Sequence, residues 1–248
     1  IQGMQPMQWL AVLPELDRAL LRGLSSAQRR EIGAAWRRDG LTEHASIASF
    51  VRARSELARL GAPRELLRDC RAAARDEVRH ARLCLALAAA YDGERLVPGA
   101  LPRLPLRAPD LARLAVDTFV EGCVGETVAA LCARVAAAEC REPVVAAALA
   151  EINADESRHA ALAWRTVKWA LAVGGAPVRR AVLDEARRLS VLGRVADIGD
   201  PWEGRGHGRL GPARLEALRR QAWEALIGPL LAELVAASDA TRAVMTES

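Results

Sequence analysis

At 248 residues the chain can bury a sizeable core, as one large domain or two small ones. Hydrophobic residues make up 51% and aromatics only 4%, so Ala and Leu carry the apolar content; few segments are rich in β-branched residues, which points to an all-α fold. Of 35 basic residues all but Lys168 are Arg, yet they alternate with Glu and Asp along the periodic runs, so the net charge of +4 reads as a salt-bridged surface and no nucleic-acid module is expected.

In chain order, residues 5 to 24 predict a short amphipathic helix interrupted at Pro14. Ser25 or Ser26 caps the next helix, which runs to about Leu60 with Gly40 as a candidate kink. Gly61-Ala62-Pro63 ends it and opens an antiparallel neighbour from about Pro63 to Tyr91, stopped by Asp92-Gly93. Residues 93 to 109 carry Pro98, Gly99, Pro102, Pro105 and Pro109 without helical period. They read as a long connector, the crossover that two tandem helical hairpins need if their like faces are to meet. Asp110 caps a third helix to Glu139, and a turn at Cys140-Arg141-Glu142-Pro143 leads into a fourth that reaches Val173 before Gly174-Gly175. Pro177 opens a further helix to about Leu192. A glycine-rich loop from Gly199 to Gly211, containing Pro201 and His207, then precedes a last helix from Pro212 to about Ala237, with a frayed tail after Ser238. The expected division is a bundle with an N-terminal helical extension over residues 4–175 and a C-terminal helical extension packed on it over 176–248.

One pattern occurs twice. Asp76-Glu77-Val78-Arg79-His80 and Asp155-Glu156-Ser157-Arg158-His159 share the form D-E-x-R-H. Residues three apart on a helix lie about 60° from each other around its axis, so each Glu and its His project from one face. Glu43 precedes the first copy and Glu121 the second at nearly equal intervals, making the chain a tandem repeat of Glu on one helix and Glu-x-x-His on the next. Four carboxylates and two imidazoles suit iron or manganese and together can hold two divalent ions. Buried without a cation, the carboxylates would be very costly. Glu126 complicates the set, since five positions after Glu121 it lies about 140° around an ideal helix, and both face the metals only through a local π-bulge. Gly122 and Gly125 between them would ease such a distortion or admit a substrate close to the backbone. Glu121 ranks first because it matches Glu43 in the repeat, where Glu126 matches Ala48.

The two motifs with their upstream Glu residues resemble the ferritin-like di-iron carboxylate superfamily over roughly Ser26 to Val173. The resemblance implies a ferritin-like four-helix bundle with a long crossover between helices 2 and 3. It implies metal ligands Glu43, Glu77, His80, Glu121, Glu156 and His159, with Glu126 as a fifth carboxylate or as the replacement for Glu121. Glu77 and Glu156 would bridge, and His80 and His159 would sit on different irons. In oxygen-activating members the Asp of one motif serves the His of the other, which here would pair Asp76 with His159 and Asp155 with His80, backed by Arg79 and Arg158. The doubled Asp tilts the expectation towards oxygen chemistry.

The activity so implied is a di-iron oxygenase or oxidase, cycling Fe2+/Fe3+, that uses O2 to hydroxylate, desaturate or N-oxygenate a small organic substrate. Manganese is the alternative metal. Electrons must come from an external donor, because no flavin or nicotinamide fingerprint and no rubredoxin cysteine set is present. A ferroxidase or rubrerythrin-like peroxidase would use the same ligands, and a metal-free helical scaffold is the third reading. His44 is expected behind the ligands or in packing, His207 at most in a lid contact, Cys84 and Cys123 as core thiols, and Trp164 and Trp169 in packing or electron relay. No run approaches 18 apolar residues and no targeting segment is seen, so no membrane span is expected. Ile1-Gln2-Gly3 reads as a tag remnant ahead of a natural start at Met4. Five cysteines without a C-x-x-C predict a reduced, cytoplasmic protein, and a homodimer is the preferred assembly.

Overall fold

The computed structural model describes residues 13–101, 108–192 and 206–246, and among them every regular element is helical. After the short α1 (Arg18–Arg22), α2 (Ser26–Arg59) starts at a capping box in which Ser25 Oγ accepts from Gln28 N–H and Gln28 Oε1 accepts from Ser25 N–H. α3 (Arg64–Asp92) ends at Gly93, whose φ of 81° is the left-handed cap that a residue with a Cβ adopts only with strain. Asp110 Oδ1 caps α4 (Leu111–Thr118) by accepting from Arg113 N–H, and the chain continues through a π-helical segment (Phe119–Glu126) into α5 (Thr127–Glu139). α6 (Pro143–Leu192) is broken at Gly175, with φ 58° and ψ −139°, two residues before Pro177. α7 (Pro212–Ala222), a second π-helical segment (Trp223–Ile227) and α8 (Gly228–Thr246) complete the chain.

α2 and α3 pack along their length as a hairpin. The rod α4–π–α5 packs on α6, and α3 meets α6 while α2 meets α4. Apolar layers stack along these helices. At one end Trp36, Leu87, Ala133, Leu149 and Ile152 form a cluster, and at the other Leu57, Leu66, Cys70, Leu114 and Leu162 form a second. The charged motif residues of α3 and α6 fall between the two. A third cluster joins Phe119, Val167 and Val182 to Leu218, Ala222, Ile227 and Leu231, so the C-terminal helices share a core with α4 to α6. No helix among the described residues is long and apolar enough to cross a membrane.

Several local expectations change. Of the segment 5 to 24, residues 5–12 lie outside the described set, and helix forms only over Arg18–Arg22, after Pro14. Gly40 does not interrupt α2; a Cβ there would come within 2.8 Å of Leu85 Cγ, so its role is close approach to α3. In the connector, 94–101 and 108–110 have no regular structure, and 102–107 lie outside the described residues, as do 199–205 of the glycine-rich loop. The last helix runs to Thr246, beyond the expected fraying point at Ser238.

The two glycines of the first π-helical segment differ in their surroundings. A Cβ on Gly122 would collide with Ala163 Cβ of α6, whereas on Gly125 it would meet only Val120 O at 3.5 Å. Gly122→Ala is therefore expected to destabilise the metal-free protein by about 1–3 kcal/mol through overpacking. Gly125→Ala should leave it unchanged or stabilise it by up to about 1 kcal/mol. Denaturant midpoints of the two variants check the contrast.

Candidate metal centre

The spacing of each Glu-x-x-His puts carboxylate and imidazole on the inward face of its helix, and the α3–α6 contact sets the two faces against each other. Glu77, His80, Glu156 and His159 are at most 3% exposed. Their atoms form two groups, Glu43, Glu77, His80, Glu156 and Glu77, Glu126, Glu156, His159, each with all its candidate ligand atoms within 4.8 Å of one another. Glu77 and Glu156 belong to both groups, while each imidazole belongs to one.

The structure thus brings together six of the seven residues singled out from sequence and leaves Glu121 outside. Its carboxylate is about half exposed and accepts from Arg52 Nη2 at 2.9 and 3.1 Å. Glu126 takes the inward position instead. The physical reason is the π-helical segment, whose extra residue per turn carries Glu126 round to the face that an ideal α-helix would have given to Glu121. Gly122 lets this widened turn lie directly on Ala163.

Behind the imidazoles, the geometry crosses the two repeats. Asp155 Oδ2 lies 2.9 Å from His80 Nε2, and Asp76 Oδ2 lies 3.3 Å from His159 Nε2. With Nε2 donating to a carboxylate, each ring turns Nδ1 inward. Arg79 donates to Asp76 Oδ1 at 3.1 Å, to Glu151 Oε1 at 2.6 Å and to Asp155 Oδ2, while Arg158 donates to Asp155 Oδ1. Arg79 thereby ties α3 to α6, Arg158 Nη2 reaches back to within 3.6 Å of Asp76 Oδ2, and together they hold the carboxylates that orient the rings. Burial works to raise the Asp155 pKa, but His80 and the two arginines outweigh it and hold the carboxyl below the usual range.

The inward atoms lack partners. Glu77 Oε2, His80 Nδ1, Glu156 Oε2 and His159 Nδ1 are buried without a hydrogen bond. His80 Nδ1 lies 3.1 Å from Glu156 Oε1, and His159 Nδ1 lies 3.1 Å from Glu77 Oε1, close but without hydrogen-bond alignment. Unpartnered buried groups of this kind cost about 1–3 kcal/mol each, more when charged. The donor set fits a pair of divalent cations: four carboxylates balance four positive charges, and two neutral imidazoles complete the two groups. Without metal the same residues hold protons. Burial lowers the His80 pKa, but Glu156, Glu43 and Glu77 carry it up to about 11; His159, likewise opposed by burial, is raised to about 10 by Glu156 and Glu77. Burial and neighbouring carboxylates push Glu77 and Glu126 well above the carboxylate range. Glu156 is drawn below it, because Glu126, His159 and His80 together outweigh burial.

A pocket of about 290 Å³ adjoins one of the two groups, reaching Glu126 and His159 and running on to Glu56, Cys70, Leu114 and Thr166. Phe50 stands edge-on to the His159 ring at 5.0 Å within it. Of the other residues considered from sequence, His44 is buried, and that burial lowers its pKa. His207 is buried at 7% exposure and pairs with Tyr91 Oη through Nδ1 at 3.0 Å. Cys84 and Cys123 are buried thiols whose pKa burial pushes up, and Trp164 packs on Phe119. Glu56, Cys70 and Thr166 were not anticipated. Glu56 lies in an Arg-rich stretch that reads as solvated helix surface, and Cys70 and Thr166 fall on core faces, so only the pocket distinguishes them.

Compared with known proteins, the chain matches no family model, no curated protein and no solved structure.

Two predictions follow from the charges and the crossed pairs. The raised imidazole pKa values stabilise the metal-free fold fully below the unfolded value of 6.5, and this contribution is lost as pH climbs through about 10 and 11. Metal must displace those protons, so loading at pH 7 is expected to release at least both imidazolium protons per chain, and affinity should rise with pH. Zinc titration in weak buffer with an indicator dye measures the release; none would rule out imidazole ligation. Asp155→Asn, which weakens the hold on His80, is expected to lower metal affinity roughly 10–100-fold with the helical content retained, measured against a competing chelator.

Proposed function

We propose that this chain is a non-haem di-iron oxidoreductase that uses O2 to oxidise a small organic substrate. The observation that carries the reading is the pair of ligand groups sharing Glu77 and Glu156, with one unpartnered buried atom on each motif Glu and His. In this reading α2, α3, the α4–π–α5 rod and α6 up to Gly175 make a ferritin-like four-helix bundle, the connector ahead of Asp110 is its crossover, and the helices beyond Gly175 are an extension. Glu43 and His80 would hold one ion, Glu126 and His159 the other, with Glu77 and Glu156 between them. Bound iron would supply the activation of O2, which no side chain here performs.

The protein's own share is orientation, charge and exclusion of water. Asp155 and Asp76 keep the Nε2 proton on each ring and so present Nδ1 inward in a fixed direction. Ile47 and Ala81, both fully buried, help to close off the site. The pocket beside Glu126 and His159 supports organic oxidation, because Phe50, Leu57, Leu114 and Leu162 give an apolar body a surface to lie against. In this reading electrons would arrive from a separate donor.

Anaerobic Fe(II) titration followed by O2 tests the reading. Wild type and Glu121→Gln are expected to bind two irons per chain, and Glu77→Ala to bind iron substoichiometrically. Oxygen uptake without an organic substrate should stop once bound iron is oxidised. Sustained turnover of excess Fe(II) would instead identify a ferroxidase, and failure of the wild type to bind iron stoichiometrically would overturn the metal centre.

A further inference from the structure

The pocket next to Glu126 and His159 contains a polar feature that the metal centre leaves unexplained. It follows the stripe Ser46, Ser49, Ala53 and Glu56 of α2, where three small side chains leave the volume and a carboxylate closes the far end. Glu56 is 4% exposed, lines the pocket, and its Oε1 is buried with no hydrogen-bond donor. It takes no part in either candidate ligand group. Phe50, which touches the His159 ring, precedes Glu56 by six residues, so the carboxylate lies on the order of 9 Å along the helix from the level of that imidazole.

Besides His159 of the metal centre, the pocket wall carries one cationic side chain, Arg52, and Glu121 already accepts two hydrogen bonds from it. Glu56 adds a carboxylate at the far end. Thr166 Oγ1 spends its proton on Leu162 O at 2.9 Å and so meets the pocket as an acceptor. Phe50, Leu57, Leu114 and Leu162 supply the apolar part of the wall. A carboxylic acid would face repulsion here, and an alcohol would offer Glu56 a single neutral donor. A protonated amine offers both charge and several donors.

We propose that Glu56 receives the ammonium head of a small, elongated amine, whose apolar stem lies against Phe50, Leu114 and Leu162 and whose other end meets Glu126 and His159. Oxidation of that far end rests on the di-iron reading, whereas recognition of the amine by Glu56 does not. Glu56 Oε1 is buried without a donor in the free protein, at a cost to stability, and the ligand supplies that donor. A stabilising structural role would give the opposite sign on removal, because Glu56 Oε1 has no hydrogen bond to lose.

The test uses n-hexylamine, n-hexanol and hexanoate as probes of equal stem, measured by calorimetry on zinc-loaded and metal-free full-length chain, wild type and Glu56→Gln. Hexylamine is expected to bind wild type at least tenfold more tightly than hexanol, with hexanoate weakest. Glu56→Gln should erase most of the amine preference while leaving hexanol unchanged. Glu56→Leu should melt no lower than wild type, which separates a ligand group from a structural one and keeps the test decisive if the Gln variant folds poorly. Equal affinities for the three probes, a preference for hexanoate, or amine binding unaffected in Glu56→Gln would overturn the proposal; the last result would place the amine at the metal ligands. Zinc loading without an amine preference sinks this inference alone. An amine preference that depends on Glu56 in a chain that takes up no zinc sinks the di-iron reading alone.

Discussion

Four carboxylates and two imidazoles, set in one layer with apolar clusters on either side, are the constraint on which the rest of this structure depends. An ion moved from water into such surroundings costs several kcal/mol even after relaxation. The metal-free chain meets that cost with protons: both imidazoles and two of the carboxyls hold theirs far above ordinary values. Protons cancel charge but leave one buried atom on each motif Glu and His without a hydrogen bond. Two divalent cations would cancel the same charge and occupy the same atoms. The site is thus better suited to metal than to its own protons, and that is a statement about the donor set, independent of which reaction follows.

Orientation comes from outside the layer. Each aspartate stands one position before a motif glutamate, and because adjacent residues on a helix differ by about 100° it points past the site to the imidazole of the opposite helix. Arg79 and Arg158 then clamp both aspartates. Reading D-E-x-R-H as a unit, Glu and His face inward while Asp and Arg build the lattice between α3 and α6 that fixes the rings. The same four side chains are therefore a structural tie and a tuning device, and a change in one is felt through the imidazole it supports.

The legible part of this arrangement was the part that ideal helix geometry governs. Glu-x-x-His at a spacing of three placed Glu77 with His80 and Glu156 with His159, and the capping and breaking residues Ser25, Gly93, Asp110 and Gly175 marked the helix ends closely. Glu126 was ranked second because the internal repeat assigns its place to Ala48, and repeat logic assumes that both units are wound alike. They are not. The second unit carries a π-helical turn that the first lacks, and the wider winding hands the inward position from Glu121 to Glu126. The signal present in the sequence was the pair Gly122 and Gly125, of which Gly122 has no room for a Cβ against Ala163. Glu56 left no signal at all, since a glutamate among arginines on a long helix is ordinary until a cavity is found beside it.

The π-helical turn also makes the two ligand groups unequal. On the first unit the regular α2 presents Glu43 beside the fully buried His80. On the second, the wider turn brings Glu126 in while setting Gly122 against α6, and the pocket passes along this surface to reach Glu126 and His159. The pocket thus adjoins one side of the pair. A ligand entering along Ser46, Ser49 and Ala53 meets the Glu126/His159 group before the Glu43/His80 group, with Phe50 packed on the nearer imidazole. Were two ions bound, the one held by Glu126 and His159 would adjoin the pocket, and the one held by Glu43 and His80 would lie behind it. A single departure from α-helical winding, placed where two glycines permit it, is enough to turn a near-symmetric repeat into a site with a front and a back.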